Sequence, residues 1–85
     1  MYNNDIFNEV KNNVDIKSIV LRLLPGGKKE GNKWVALNPT RGDKNLGSFM
    51  INLMNGKWID YATGDKGGDI ISLYAYLNPS WYEIR

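Results

Sequence analysis

The chain has no cysteine and no histidine among its 85 residues. A domain of this length buries only about 60% of the surface its unfolded chain exposes. Small domains commonly make up the shortfall with disulfides or a metal. Without thiols, disulfides are impossible, and a structural zinc site lacks its ordinary sulfur and nitrogen ligands. No cofactor is expected. Stability must come from an apolar core, for which 42% of the residues are suited, including three Trp, five Tyr and two Phe. Each aromatic side chain buries roughly 150–250 Å².

Apolar periodicity defines the elements. Asn4 is placed to cap a first helix carrying Ile6, Phe7, Val10 and Val14 on one face, and Asp15 a second carrying Ile16, Ile19, Val20, Leu23 and Leu24. Pro25-Gly26-Gly27 ends the second helix, because proline cannot extend it. After a polar loop from Lys28 to Asn32, three strands are predicted at Lys33–Leu37, Ser48–Leu53 and Lys57–Tyr61, the last two joined through the turn signal Asn55-Gly56. A Gly-rich loop from Thr63 to Gly68 leads to Asp69, which is suited to cap a helix over Ile70, Ile71, Leu73, Tyr74 and Leu77. Asn78-Pro79-Ser80 starts another helix that has barely begun at Arg85, so either a fragment of a longer protein or a short tail helix packed on the core is expected. The predicted fold is one α+β domain spanning residues 1–85, with N-terminal helices, a three-stranded antiparallel sheet and a C-terminal helix.

The formal charge is +2, a weak basic bias whose distribution matters more than its size. Lys28, Lys29, Lys33, Arg41 and Lys44 fall in one central stretch, and Lys57 and Lys66 follow. Strand alternation puts Trp34 with Ala36 opposite Val35 and Leu37, and Trp58 with Asp60 opposite Lys57, Ile59 and Tyr61. Trp58 reads as core, while Trp34 and Tyr61 suit core packing and base stacking equally. The loop before Asp69 lacks the Lys-Ser/Thr step of a nucleotide-hydrolysing phosphate loop, so its glycines read as a tight turn and its aspartate as a cap. Catalysis has almost no support, since no His or Cys can act as base or nucleophile. Asp60, Asp65 and Asp69 are a conceivable Mg²⁺ set. The polar, acidic N-terminus is unlike a signal peptide, and no apolar run reaches the length of a membrane span. With the absence of Cys, this leads to the expectation of a cytoplasmic protein with no membrane partner.

The order of these motifs resembles the N-terminal zinc-ribbon domain of bacterial-type DNA primases and of phage and plasmid primase-helicases, over Asp5 to Leu77. Val14-Asp15-Ile16, the basic and aromatic segment Lys28 to Leu37, Ser48-Phe49 and Gly67-Gly68-Asp69 match in order. The family's Cys-Pro-x-His turn falls on Asn38-Pro39-Thr40-Arg41 and its Cys-x-x-Cys knuckle on Asp60-Tyr61-Ala62-Thr63, so all four ligand positions (Asn38, Arg41, Asp60 and Thr63) are replaced. The resemblance implies a metal-free form of the ribbon. Arg41 and Asp60 carry opposite charges at two of these positions, which leads to the expectation of a contact between them, with Asn38 or Thr63 hydrogen-bonded to it. An exposed pair would contribute only about 0–1 kcal/mol, against about 10–16 kcal/mol for structural zinc, so the core must supply most of the difference.

The resemblance further implies a non-catalytic, nucleic-acid-binding domain of a mobile genetic element. It would hold single-stranded DNA template during replication priming and work with a primase catalytic domain, helicase or polymerase. The residues expected to touch DNA are Lys28, Lys29, Lys33, Trp34, Arg41, Lys44, Lys57, Tyr61 and Lys66. The alternative of a different class is a protein-interaction module that docks a primase or helicase without touching DNA.

Overall fold

Each helix of the computed structural model, which describes residues 15–78, opens on an aspartate. The Asp15 carboxylate accepts the Ser18 backbone N–H at 3.2 Å and starts α1 (Ile16–Leu23); Asp69 accepts that of Ser72 at 2.9 Å and starts α2 (Ile70–Leu77). A cap of this kind is worth about 1 kcal/mol. At the far end of α1, the Trp34 indole N–H donates to the Leu24 carbonyl at 2.8 Å, satisfying one of the acceptors that a helix end leaves open. The expected helix from Asn4 and the one from Pro79 onward lie outside the described residues. No described helix is long and apolar enough to cross a membrane.

Between the helices runs a meander of five antiparallel strands in the order β1-β2-β3-β4-β5: β1 (Lys28–Glu30), β2 (Lys33–Ala36), β3 (Phe49–Asn52), β4 (Trp58–Asp60) and β5 (Lys66–Gly67). The fold is thus α+β, but the expected three-stranded sheet has two further edge strands. Both were hidden by their composition. β1 is Lys-Lys-Glu, exposed at every residue, so no apolar alternation marks it. It occupies the segment expected to be a polar loop, and turns back to β2 through Gly31, whose φ is +63°. β5 is Lys-Gly inside the Gly-rich segment, and only its pairing with Trp58 and Ile59 defines it. Short, charged edges of this kind discourage sheets from pairing with one another.

Alternation decides what each strand buries. Trp34, Ala36, Phe49, Ile51 and Trp58 project to one side, where α1 contributes Ile19 and Val20 and α2 contributes Ile70, Leu73 and Tyr74. Rings dominate the centre. Phe49 meets Trp58 edge-on at 6.2 Å between centroids, and Trp58 lies against Tyr76 at 4.4 Å. Two glycines let the tryptophans settle. A Cβ on Gly67 would come within 2.6 Å of Ser72 Oγ and the Trp58 ring, and one on Gly27 within 2.8 Å of the Trp34 ring and the Val35 carbonyl. Gly67 is therefore fixed by packing, and the Gly-Gly-Asp step reads as one unit. Gly67 admits Trp58, Asp69 caps α2, and Ser72 accepts the Trp58 indole N–H at 2.9 Å.

Gly67→Ala is expected to destabilise the domain by about 1–3 kcal/mol through overpacking against Trp58. Gly26→Ala, where a Cβ would meet nothing within 4 Å, serves as the control and should change stability by less than about 0.5 kcal/mol. Urea denaturation of both variants measures the contrast; equal effects would contradict this role for Gly67.

Candidate nucleic-acid interface

At the end of the sheet where β2 runs into the 37–48 turn, a buried carboxylate gathers the chain. Asp60 is fully buried, and its two oxygens accept four donors: Arg41 Nε at 2.8 Å, Arg41 Nη2 at 3.2 Å, Asn38 Nδ2 at 2.8 Å and the Ala62 backbone N–H at 2.9 Å. An ionised carboxylate offers about four lone-pair sites, so this one is saturated. The Arg41 fork holds the Asp60 carboxyl down, from 3.8 to about 2, with help from Asn38 and Ala62 and against the burial that would raise it. Asp60 in turn raises the Arg41 pKa through the same hydrogen bonds.

The expected Arg41–Asp60 contact is therefore present, with Asn38 bonded to it. Thr63 takes a different place: its hydroxyl accepts the Asp65 backbone N–H at 3.2 Å. Three residues not anticipated from the sequence complete the knot. Asp43 accepts the Asn38 backbone N–H at 2.9 Å and pairs with Arg41 Nη2 at 3.2 Å. Thr40 donates to Asn38 Oδ1 at 2.7 Å. The Tyr76 hydroxyl accepts from Asn38 Nδ2 at 2.9 Å and donates to Asp65 at 2.8 Å. Tyr76 also stacks on Trp58, so one side chain joins the polar knot to the ring core.

On the opposite side of the sheet Met50 and Ile59 are half-buried and Lys33, Lys57, Tyr61 and Lys66 are exposed, while Val35 is buried. Register runs a single row across all five strands there: Lys28, Val35, Met50, Ile59 and Lys66. Apolar side chains form the middle and a lysine stands at each edge. Beside this row, a hollow of about 570 Å³ is lined by Met50, Ile59, Tyr61 and the lysines 33, 57 and 66, with no acidic residue in its wall. Tyr61 keeps 65% of its surface exposed. Lys28 reaches Glu30 on its own strand at 3.3 Å, so its charge is partly matched.

Of the nine residues expected to touch DNA, Lys28, Lys33, Lys57, Tyr61 and Lys66 thus share one face. Lys29 lies opposite Trp34 in the register, on the helix side of the edge strand. Lys44 is exposed in the turn before β3. Two others belong to the framework. Trp34 is 9% exposed, packed over Gly27 with its N–H bonded, and offers no ring face for stacking. Arg41 is held by Asp60 and Asp43. Met50 and Ile59 were not singled out, although their alternation with Phe49, Ile51 and Trp58 places them on this face. Among the described residues no group of three or more acidic side chains is positioned to hold a metal ion. Asp60, Asp65 and Asp69 are engaged by Arg41, Tyr76 and Ser72 respectively.

Compared with protein-family profiles, curated proteins and solved structures, the chain gives no match. The geometry of the two sheet faces is therefore the basis for a functional reading.

Removing the buried carboxylate leaves its donors unpaired, so Asp60→Ala is expected to cost about 3–5 kcal/mol. The lowered pKa also sets a pH dependence. Asp60 binds its proton less readily folded than unfolded, so its contribution is complete above about pH 4 and is lost as pH falls through about 2. Wild-type stability should fall over that interval more steeply than that of Asp60→Asn, as read from urea midpoints at pH 2, 3, 4 and 6. Parallel curves would show that the carboxylate does not carry the effect.

Proposed function

We propose that this domain binds single-stranded nucleic acid on the sheet face turned away from its described helices, in a role resembling template holding by the zinc ribbon of DNA primases. The observation that carries the reading is the lysine-edged, apolar-centred row Lys28-Val35-Met50-Ile59-Lys66, with Lys33, Lys57 and Lys66 around the hollow and Glu30 opposite Lys33 as an acid on the same face. Lysines positioned this way neutralise phosphates, while the apolar centre and Tyr61 suit exposed bases, which stack on aromatic side chains irrespective of sequence. A duplex presents phosphates but keeps its bases stacked inside.

The knot around Asp60 supports the primase resemblance. Asn38, Arg41 and Asp60 stand at three of the four positions aligned with zinc ligands, and they meet in one cluster. An ionic clamp in place of a metal keeps the two turns together without drawing on the lysines of the outer sheet face. On this reading the domain is a non-catalytic, cytoplasmic part of a replication protein, presenting template to a primase catalytic domain, helicase or polymerase.

A second reading, a module docking a primase or helicase, draws on the half-buried apolar pair Met50 and Ile59. Salt dependence separates the two. With three to four lysines on phosphates, affinity for single strands should fall with a log–log slope of roughly −2 to −3, a loss of about 20–50-fold between 50 and 200 mM salt. Fluorescence anisotropy of a labelled thymidine oligomer measures it. The variant carrying Lys33→Gln, Lys57→Gln and Lys66→Gln should stay folded, because these side chains are exposed, and should bind at least tenfold more weakly. Absence of binding at 50 mM salt, or unchanged binding by the triple variant, would refute the nucleic-acid reading and favour the docking module.

A further inference from the structure

We infer that the hollow beside Tyr61 is a subsite for one unpaired base, with the neighbouring phosphates held by Lys33, Lys57 and Lys66; this rests on the nucleic-acid reading above. A groove that served phosphates alone would need charge and no apolar floor. Here the floor is the directly opposed pair Met50 and Ile59, at the centre of the sheet, and the cations stand around it. Lys66 is the cross-strand partner of Ile59 on one side, and Lys33 lies beyond Asn52 on the other. The volume of about 570 Å³ falls within the roughly 300–1,000 Å³ of ordinary small-ligand sites, too large for a phosphate ion alone.

The chemistry of the lining selects the occupant. It combines three cations, no acid, an apolar floor and an aromatic ring that is mostly exposed. The complementary ligand is an anion carrying a flat apolar group, which describes a nucleotide. A base still paired in a duplex cannot reach the floor without leaving its stack. The subsite therefore selects single strands over double strands by shape, while the lysines act on both through charge. The residues separate accordingly. Tyr61, Met50 and Ile59 govern the contribution of the base, and the lysines that of the backbone.

The test measures the intact protein with three ligands of equal phosphate count: a thymidine oligomer, the same oligomer with abasic sugars throughout, and a duplex. Wild type should bind the intact strand about tenfold more tightly than the abasic strand, and more tightly than the duplex. Tyr61→Ala, an exposed position where folding is not at stake, should bring the intact-to-abasic ratio close to one while leaving abasic affinity unchanged. Lys66→Gln should weaken intact and abasic strands by the same factor. Equal wild-type affinity for intact and abasic strands, equal affinity for the duplex, or a Tyr61→Ala loss shared by both strands would overturn the base subsite while leaving strand binding in place. Binding of none of the three at 50 mM salt would instead remove the nucleic-acid reading, and the subsite with it.

Discussion

Asp60 holds a negative charge with no exposure to solvent, an arrangement that is strongly unfavourable unless the charge is paired and its lone pairs are filled. Arg41, Asn38 and the Ala62 amide fill them. Because these donors come from the 37–48 turn and from the turn after β4, satisfying one carboxylate fixes two otherwise independent loops against each other. Tyr76 extends the constraint to α2, since its hydroxyl reaches Asn38 and Asp65 while its ring lies on Trp58. A buried ion pair is not by itself strong evidence for stability, because desolvation offsets much of its attraction. What distinguishes this one is saturation, and a fully satisfied polar network specifies a single geometry.

That geometry has a consequence for the two faces of the sheet. The clamp and both described helices lie on one side, where Phe49, Ile51 and Trp58 are buried. Among the described residues the side turned away from these helices contributes no side chain to the clamp, although Val35 is buried there. Lys33, Lys57, Lys66 and Tyr61 are exposed, and exchanging them disturbs no described hydrogen bond of the clamp. Stability and surface chemistry are thus separated across the thickness of a single sheet. The separation also explains why Arg41, though the most versatile phosphate-binding group in the central basic stretch, serves the framework: its guanidinium fork matches a carboxylate in two bonds, and among the described residues Arg41 is the cation paired with Asp60.

Much of the inner face was legible in the sequence. Asp15 and Asp69 as caps, the apolar stripes of the helices and the alternation of β2 to β4 all follow from local pattern. The Arg41–Asp60 contact followed from charge at positions that the resemblance brings together. What local pattern did not show was pairing that depends on long-range neighbours. Lys28–Glu30 has no apolar residue to announce a strand, and Lys66-Gly67 has too few residues for any period to appear. Register alone joins them to the sheet. The same limit explains the site residues. Lys28, Lys33, Lys57, Tyr61 and Lys66 converge because five strands align them, whereas Trp34 was ambiguous until Gly27 and the Leu24 carbonyl provided its socket. Asp43, Thr40 and Tyr76 entered the clamp through turn geometry and a helix on the far side of the sequence, which residue spacing does not encode.

Arg41 and Asp60 act as one unit in holding the two turns. A double-mutant cycle isolates that coupling from the effect of either side chain alone. With Arg41→Met, Asp60→Leu and the combined variant, the account predicts strongly non-additive losses. The double variant should be scarcely less stable than the weaker of the two single variants, because each single change leaves a charge without its partner. Losses that simply add would show that the two side chains stabilise the domain independently, and would contradict the clamp.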